Sequence, residues 1–378
     1  MSNLFRTRVA IAASMFAILA TQTSHVAAQN YSYTDLGAGV ANAINDAGQI
    51  VGINDTNQAV LWDGTTTTVL AFLGHYDDAT GINSAGQVAG FFDANCGCTP
   101  QYNAVQWNGG VGSLLANPQQ TESIARGINN SGATVGYVYS ASATGNQNAV
   151  IWSGTQTIEL GTTNSQTYSE ANGINNSGQE VGYFYQNNGS GMQQAVLWNG
   201  TTPTVLGTLG RNTSSDALAL NDKGQEVGYS NAPGPLNRSA VVWNGTAPTV
   251  LASLGGTNSV ALGINNAGEA VGYSYLSGNT VQQAVLWVNG KVINLNSYLP
   301  GAQSQAGWVL EEATGINNSG VIVGEAQNTI TGQDQAFSLN LVAAVPEPGH
   351  FSMLLSGLGL IGFIARRRKN ANSKKLID

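Results

Sequence analysis

The chain has 378 residues, 48 of them glycine, with only 9% charged residues and a formal net charge of −8. Setting both ends aside leaves 5 basic against 19 acidic residues over positions 29–343, a net charge near −14; such a surface repels phosphate backbones, argues against nucleic acid, and favours neutral or cationic partners. Glycine abundance with few helix formers argues against a helical bundle, and two cysteines are too few for a disulfide scaffold.

In chain order, Arg6 and Arg8 precede an apolar run over 9–20 and the small residues Val26-Ala27-Ala28. That order of basic, apolar and small residues predicts a secretory signal over 1–28, with a mature chain from Gln29. Residues 31–37, Tyr-Ser-Tyr-Thr-Asp-Leu-Gly, then form a strand with no hairpin of its own.

From there to about position 343 the chain repeats itself. The phrase Gly-Ile-Asn-x-x-Gly-x-x-Val-Gly recurs in seven copies with its Asn at Asn45, Asn83, Asn129, Asn175, Asn221, Asn265 and Asn317. A second phrase, Gln-Ala-Val-Leu-Trp, follows, with Trp62, Trp107, Trp152, Trp198, Trp243 and Trp287, and Phe337 in the last copy. The usual period of 44–46 residues is that of a four-stranded propeller blade. Each unit reads as a strand ending at Ile-Asn, a hairpin turn in which Asn and Gly accept positive φ, a Gln-x-Val-Gly-Tyr strand, a polar loop, an Ala-Val-Leu-Trp strand, and a Thr-Val-Leu-Gly strand after an Asn-Gly turn. No segment between the ends keeps a 3.6-residue period, so helices are not expected there.

The last copy lacks the fourth strand, and residues 31–37 supply one. The fold class predicted is all-β, a seven-bladed propeller over 29–343 closed by the N-terminal strand; an open β-solenoid is the alternative. These phrases resemble the HAF family of extracellular repeats, with Gln-Ala-Val-Leu-Trp in place of its His-Ala-Phe-Leu-Trp. The resemblance covers roughly 31–342 and implies an extracellular protein with no established activity.

Candidate chemistry is sparse. Between the ends only His75 remains, in a Gly-rich turn, which leaves no positioned base for Ser or Cys nucleophiles, no multi-His metal site and no expected cofactor. Cys96 and Cys98 read as a local loop feature, with or without a disulfide. Glu311 and Glu312, if on a strand, point to opposite faces, and no spacing selects a carboxylate pair at the roughly 5–9.5 Å a glycosidase needs. Gly357-Leu358-Gly359-Leu360-Ile361-Gly362 spells a dinucleotide fingerprint without its βαβ context. The repeated Trp residues are expected between blades. The loops between second and third strands, at 93–102, 139–147, 185–193 and 275–281, are the candidate contact surface, with Tyr102, Tyr139, Tyr185 and Tyr275 as binding residues for polar neutral ligands.

At the C-terminus, Pro346, Glu347 and Pro348 precede an apolar stretch at 351–365 that stops at Arg366, Arg367 and Arg368. The stretch is short against the roughly 17–25 residues of a membrane span, and the basic cluster is expected on the cytoplasmic side. Residues 344–370 resemble the PEP-CTERM sorting signal, which implies an exosortase partner and a Gram-negative-type envelope that makes exopolysaccharide. A plain C-terminal anchor is the alternative, and 371–378 form a tail beyond the signal. The expected protein is a surface or matrix repeat module binding exopolysaccharide or surface proteins without catalysis. A secreted carbohydrate-active hydrolase or lyase using carboxylates is the alternative.

Overall fold

Each repeat folds as a small antiparallel sheet because its apolar runs of four or five residues are separated by turns that glycine closes. In the fourth repeat Ser169–Ile174, Gln179–Tyr185, Gln193–Asn199 and Thr202–Val205 pair in that order. Gly178 and Gly200 take φ of 75° and 63° in the two turns, where a β-carbon would be strained. In the third strand Ala195, Val196 and Trp198 are all buried, since both faces of the sheet are covered by neighbours.

This computed structural model describes residues 30–342, apart from 72, 96–100, 118–121, 140–145, 163–167, 186–191, 212 and 232–236, together with Arg366. The repeats form one unit, Tyr31–Leu341. Residues 1–28, Cys96, Cys98, Pro346, Glu347, Pro348, Arg367, Arg368 and the apolar stretch 351–365 lie outside the described residues; Arg366 is an exposed helical residue.

Five of the sheets have four strands, and one has seven. The larger one is two blades joined by a continuous strand, Asn30–Ile44. Its first half completes the last blade beside Asp334–Val342, with Ser32 and Thr34 side chains bonding Asn340. Its second half, Gly39 to Ile44, pairs with Ile50–Asn54 of the first blade. Gly37 and Gly39, at φ of 100° and 131°, let one strand serve both. The ring is therefore closed by the N-terminal strand, as the missing fourth strand predicts, and the open solenoid is set aside.

Hydrophobic clusters form between neighbouring sheets. Val51, Val88 and Trp107 pack in one, Ala89, Val150 and Trp152 in the next, and so on to Ala41, Val60, Trp62 and Val323, which joins the last blade to the first. Burying one such Trp stabilises by about 3–5 kcal/mol relative to alanine.

Two expectations need correction. Helical turns do occur, at Leu295–Tyr298 and Gly301–Gln305. They are too short to display a helical period, and they account for the longer spacing before the last repeat. Leu295 and Leu299 pack with Tyr31 and Phe337 over the seam between the last two blades. Secondly, in the Asn-x-x-Gly turns it is the glycine, at Gly48, Gly86, Gly132, Gly178, Gly224, Gly268 and Gly320, and not the repeat Asn, that takes the positive φ expected of both residues. The repeat Asn keeps negative φ because its side chain does the turning: Asn175 Oδ1 accepts from the backbone N–H of Ser177 and Gln179 at 3.0 and 2.9 Å.

Candidate functional site at the channel mouth

The strand nearest the axis of each blade lines a channel whose two ends differ. At the turn end, the Asn side chains bond from blade to blade. Asn45 Nδ2 donates to the Asn83 carbonyl, Asn83 to Asn129, Asn129 to Asn175, Asn175 to Asn221, Asn221 to Asn265, Asn265 to Asn317, and Asn317 back to Asn45, at 2.9 to 3.1 Å. This circle leaves a space of only about 160 Å³. Its amides are spent on one another, so this end is structural.

The opposite end opens into a cavity of about 510 Å³. A β-bulge before the Gly-Ile-Asn phrase makes it. Between Ala171 and Gly173 the register slips by one residue, leaving Asn172 unpaired and on the cavity wall. The same slip recurs in the other blades, so Asn42, Thr80, Arg126, Asn172, Leu218, Leu262 and Thr314 line one ring. Two residues earlier stand Asp78, Glu170, Asp216 and Glu312, all lining the same cavity.

Each carboxylate is held by a side-chain donor from the preceding blade. Asn42 Nδ2 donates to Asp78 Oδ1 at 2.7 Å. Asn172 Nδ2 and Gln193 Nε2 donate to the two oxygens of Asp216, both at 2.9 Å. Arg126 Nε pairs with Glu170 Oε1 at 2.8 Å, while Gln147 Nε2 and the Tyr183 hydroxyl donate to Oε2 at 3.2 and 3.1 Å. Gln282 Nε2 reaches Glu312 Oε2 at 3.4 Å. Burial pushes Asp78 up to about 6 against the donation from Asn42. Burial and then the charge of Glu170 raise Asp216 well above the ordinary carboxylate value, against the donations from Gln193 and Asn172. The mouth thus combines an ion-paired carboxylate with several acceptor oxygens, a set suited to hydroxyl groups. Among the described residues no three His, Cys, Asp or Glu side chains gather as metal ligands.

The structure places the sequence-derived Tyr residues around this mouth rather than in it. They lie in or at the ends of strands: Tyr102 begins Tyr102–Asn108, Tyr139 ends Thr134–Tyr139, Tyr185 ends Gln179–Tyr185, and Tyr275 lies in Ala270–Leu276. Tyr102 stands edge-on to Phe91, Tyr139 to Tyr137, Tyr185 to Tyr183 and Tyr168, and Tyr275 to Tyr273. Tyr102 and Tyr139 share one aromatic cluster; Tyr185 and Tyr275 belong to other blades. None of the four lines the cavity, whereas Tyr183, two positions before Tyr185, does.

The Trp side chains are buried and tie neighbouring blades. Trp62, Trp107, Trp152, Trp198, Trp243 and Trp287 donate from Nε1 to the carbonyls of Leu36, Ala71, Ala116, Gly161, Gly207 and Ala252 in the preceding unit. Sequence reasoning missed the mouth carboxylates. The signal that finds them is repeat phase: five positions before each repeat Asn stand Val40, Asp78, Ile124, Glu170, Asp216, Val260 and Glu312. Glu311 and Glu312 are not on simple opposite faces, because a further bulge falls between Leu310 and Glu312.

This architecture defines an all-β propeller with Velcro closure. The β-propeller domain of the trilobed protease from Pyrococcus furiosus is similar to it with a TM-score of 0.50 at 10% identity, covering 85% of this chain and 100% of that one. Similar too are an acylaminoacyl peptidase from Pyrococcus horikoshii (TM-score 0.48, 11% identity, 80% of this chain and 51% of that one) and a puromycin-hydrolyzing peptidase from Mycobacterium tuberculosis (0.43, 12%, 82% and 53%). At such identities the likeness is one of fold. No curated protein matches the sequence. Residues 344–369 match the family described as the PEP-CTERM protein-sorting motif, which implies export, exosortase processing and sorting to the cell surface.

Proposed function

We propose that the protein is a surface-sorted, non-enzymatic binding module whose channel mouth takes a neutral, hydroxyl-rich segment of extracellular polysaccharide. The observation that carries this reading is the convergence of Asp78, Glu170, Asp216 and Glu312 from four different blades on one cavity, where the lining Arg126 is already engaged with Glu170. Acceptors in excess of donors suit a ligand that brings hydroxyl hydrogens, and a cavity of this size holds one or two sugar rings. On this reading the repeats are of HAF type, residues 351–365 anchor the chain in the membrane of a Gram-negative-type envelope until an exosortase acts, and surface proteins are secondary partners.

Incubating the full exported chain with the host's own exopolysaccharide tests it. Retention without shortening of the polysaccharide is expected, weakened about tenfold by Asp216→Asn, which replaces one carboxyl oxygen with an amide group while keeping a similar shape. The second reading, a hydrolase or lyase, draws on Asp216, raised by burial and by the charge of neighbouring Glu170, since general acid catalysis also uses a raised carboxyl beside a second carboxylate. Shortened chains in the wild-type incubation, absent with Asp216→Asn, would establish catalysis and overturn the binding reading.

A further inference from the structure

The ring of bulge residues at the mouth has two apolar members, Leu218 and Leu262, contributed by adjacent blades. Both are half-buried, and among the described residues neither belongs to any of the hydrophobic clusters between blades. Leu220 and Ile264, two positions further along the same strands, do pack into them. The bulge therefore turns Leu218 and Leu262 out of the core and onto the cavity wall. Apolar side chains left facing water are covered favourably by an apolar group on a ligand.

The opposite arc is equipped for hydroxyl groups. Counted by the repeat Asn, Asp78 belongs to the second of the seven repeats and the two leucines to the fifth and sixth, so on a closed ring it stands as far from them as the ring allows. Its Oδ1 accepts from Asn42, and among the described residues its Oδ2 has no partner. Arg126, in the next blade, spends Nε on Glu170 while 38% of its side chain is exposed. Among the described residues its Nη1 and Nη2 groups have no hydrogen-bond partner, so they are donors open to a ligand. Gln147 and Tyr183 hold the other oxygen of Glu170, which fixes the guanidinium in place. A carboxylate oxygen beside such a fork matches two neighbouring hydroxyls, which accept from Arg126 and donate to Asp78. On the leucine side the flanking donors are spent. Thr314 donates to the Ala41 and Val323 carbonyls, and Asn172 to Asp216 and the Ala217 carbonyl.

We propose that the mouth selects a 6-deoxyhexose, its methyl group against Leu218 and Leu262 and its 2- and 3-hydroxyls on Asp78 and Arg126. In a pyranose ring the carbon that bears the methyl lies across from the carbons that bear those hydroxyls, which is the disposition of the leucine pair and the Asp78–Arg126 pair. A hydroxymethyl group in place of the methyl sets a hydroxyl against an apolar wall, and an acetamido group there leaves its carbonyl without a donor. The inference rests on the reading of the mouth as a polysaccharide site and narrows it to one class of sugar.

Release of the full exported chain from the host's exopolysaccharide by free sugars tests the proposal, with L-rhamnose set against L-mannose and L-fucose against L-galactose, pairs that differ only in the 6-hydroxyl. At least one deoxy sugar is expected to release the chain at about tenfold lower concentration than its counterpart. Leu218→Asn with Leu262→Asn is expected to abolish that difference; neither side chain is part of a core cluster, so the fold survives the change. The single variant Leu262→Ala, which keeps half of the wall, is expected to narrow it. Equal release within both pairs, stronger release by N-acetylglucosamine, release by none of the sugars, or a preference unchanged in these variants would each overturn the proposal while the mouth reading stands on retention itself. A wild-type chain that is not retained at all overturns the mouth reading and this inference with it.

Discussion

Glu180 and Glu226 occupy equivalent positions in adjacent repeats, opposite Trp198 and Trp243 across their hairpins. Both are buried, and in each Oε2 has no hydrogen-bond partner. Burial pushes both up to about 7 from an ordinary value of 4.5. The folded state therefore binds these protons more tightly than the unfolded chain does. The stability they allow is complete below about pH 4.5 and is lost as pH rises through 7, at a cost on the order of 2–3 kcal/mol per group. The double variant Glu180→Gln, Glu226→Gln keeps shape and removes the charge. Its thermal midpoint is expected to exceed wild type by several degrees at pH 8 and to match it near pH 4.5, as followed by circular dichroism; parallel profiles would disprove the assignment. Such residues were not legible as special in the sequence, because a Glu after Gly-Gln looks like any strand-edge residue until Trp198 covers it. The repeat Asn was legible as a turn residue, but not as a link in a circle, since its acceptor is a carbonyl 38 to 52 residues away in the next repeat, or 272 residues away where Asn317 closes the circle.

At the scale of the strand pair, the bulge that builds the mouth depends on glycine in the Val-Gly phrase. A β-carbon on Gly182 would run into the Glu170 carbonyl oxygen, because the bulged strand presses its backbone against its partner there. Gly182 is thus required for space, whereas Gly178, where a β-carbon meets nothing, is required only for its φ of 75°. Gly182→Ala is expected to cost about 2–3 kcal/mol and, by displacing Glu170, to weaken mouth binding; Gly178→Ala should cost about 1 kcal/mol and leave the Arg126–Glu170 pair in place. Urea unfolding of the two variants distinguishes the cases, and equal losses would remove the steric argument. The four-strand rhythm of each repeat was readable from Asn-x-x-Gly and Asn-Gly alone. The bulge was not, since its signature is one unpaired residue of any type: Asn42, Thr80, Arg126, Leu218. That variety hid the mouth, and attention fell instead on adjacent Glu311 and Glu312.

For the whole molecule the decisive element is the strand at 31–37, whose role could be read in the sequence because the last repeat visibly lacks a fourth strand. It does more than cover the edge of Asp334–Val342. Tyr31 packs with Leu295, Leu310 and Phe337, and the Leu36 carbonyl accepts from the Trp62 indole in the first blade. Removing it therefore opens the interfaces on both sides of the seam. In a ring every sheet is flanked on both faces, so opening one seam leaves two terminal sheets with a bare apolar face each, and the loss spreads through interfaces of nearly identical composition. Deleting residues 31–37 is expected to lower the denaturation midpoint in a single sharp transition, with amide hydrogen-exchange protection falling in all seven repeats together. Loss of protection confined to the first and last repeats, with the middle ones unchanged, would mean that each interface stands alone and that closure contributes nothing beyond its own contacts.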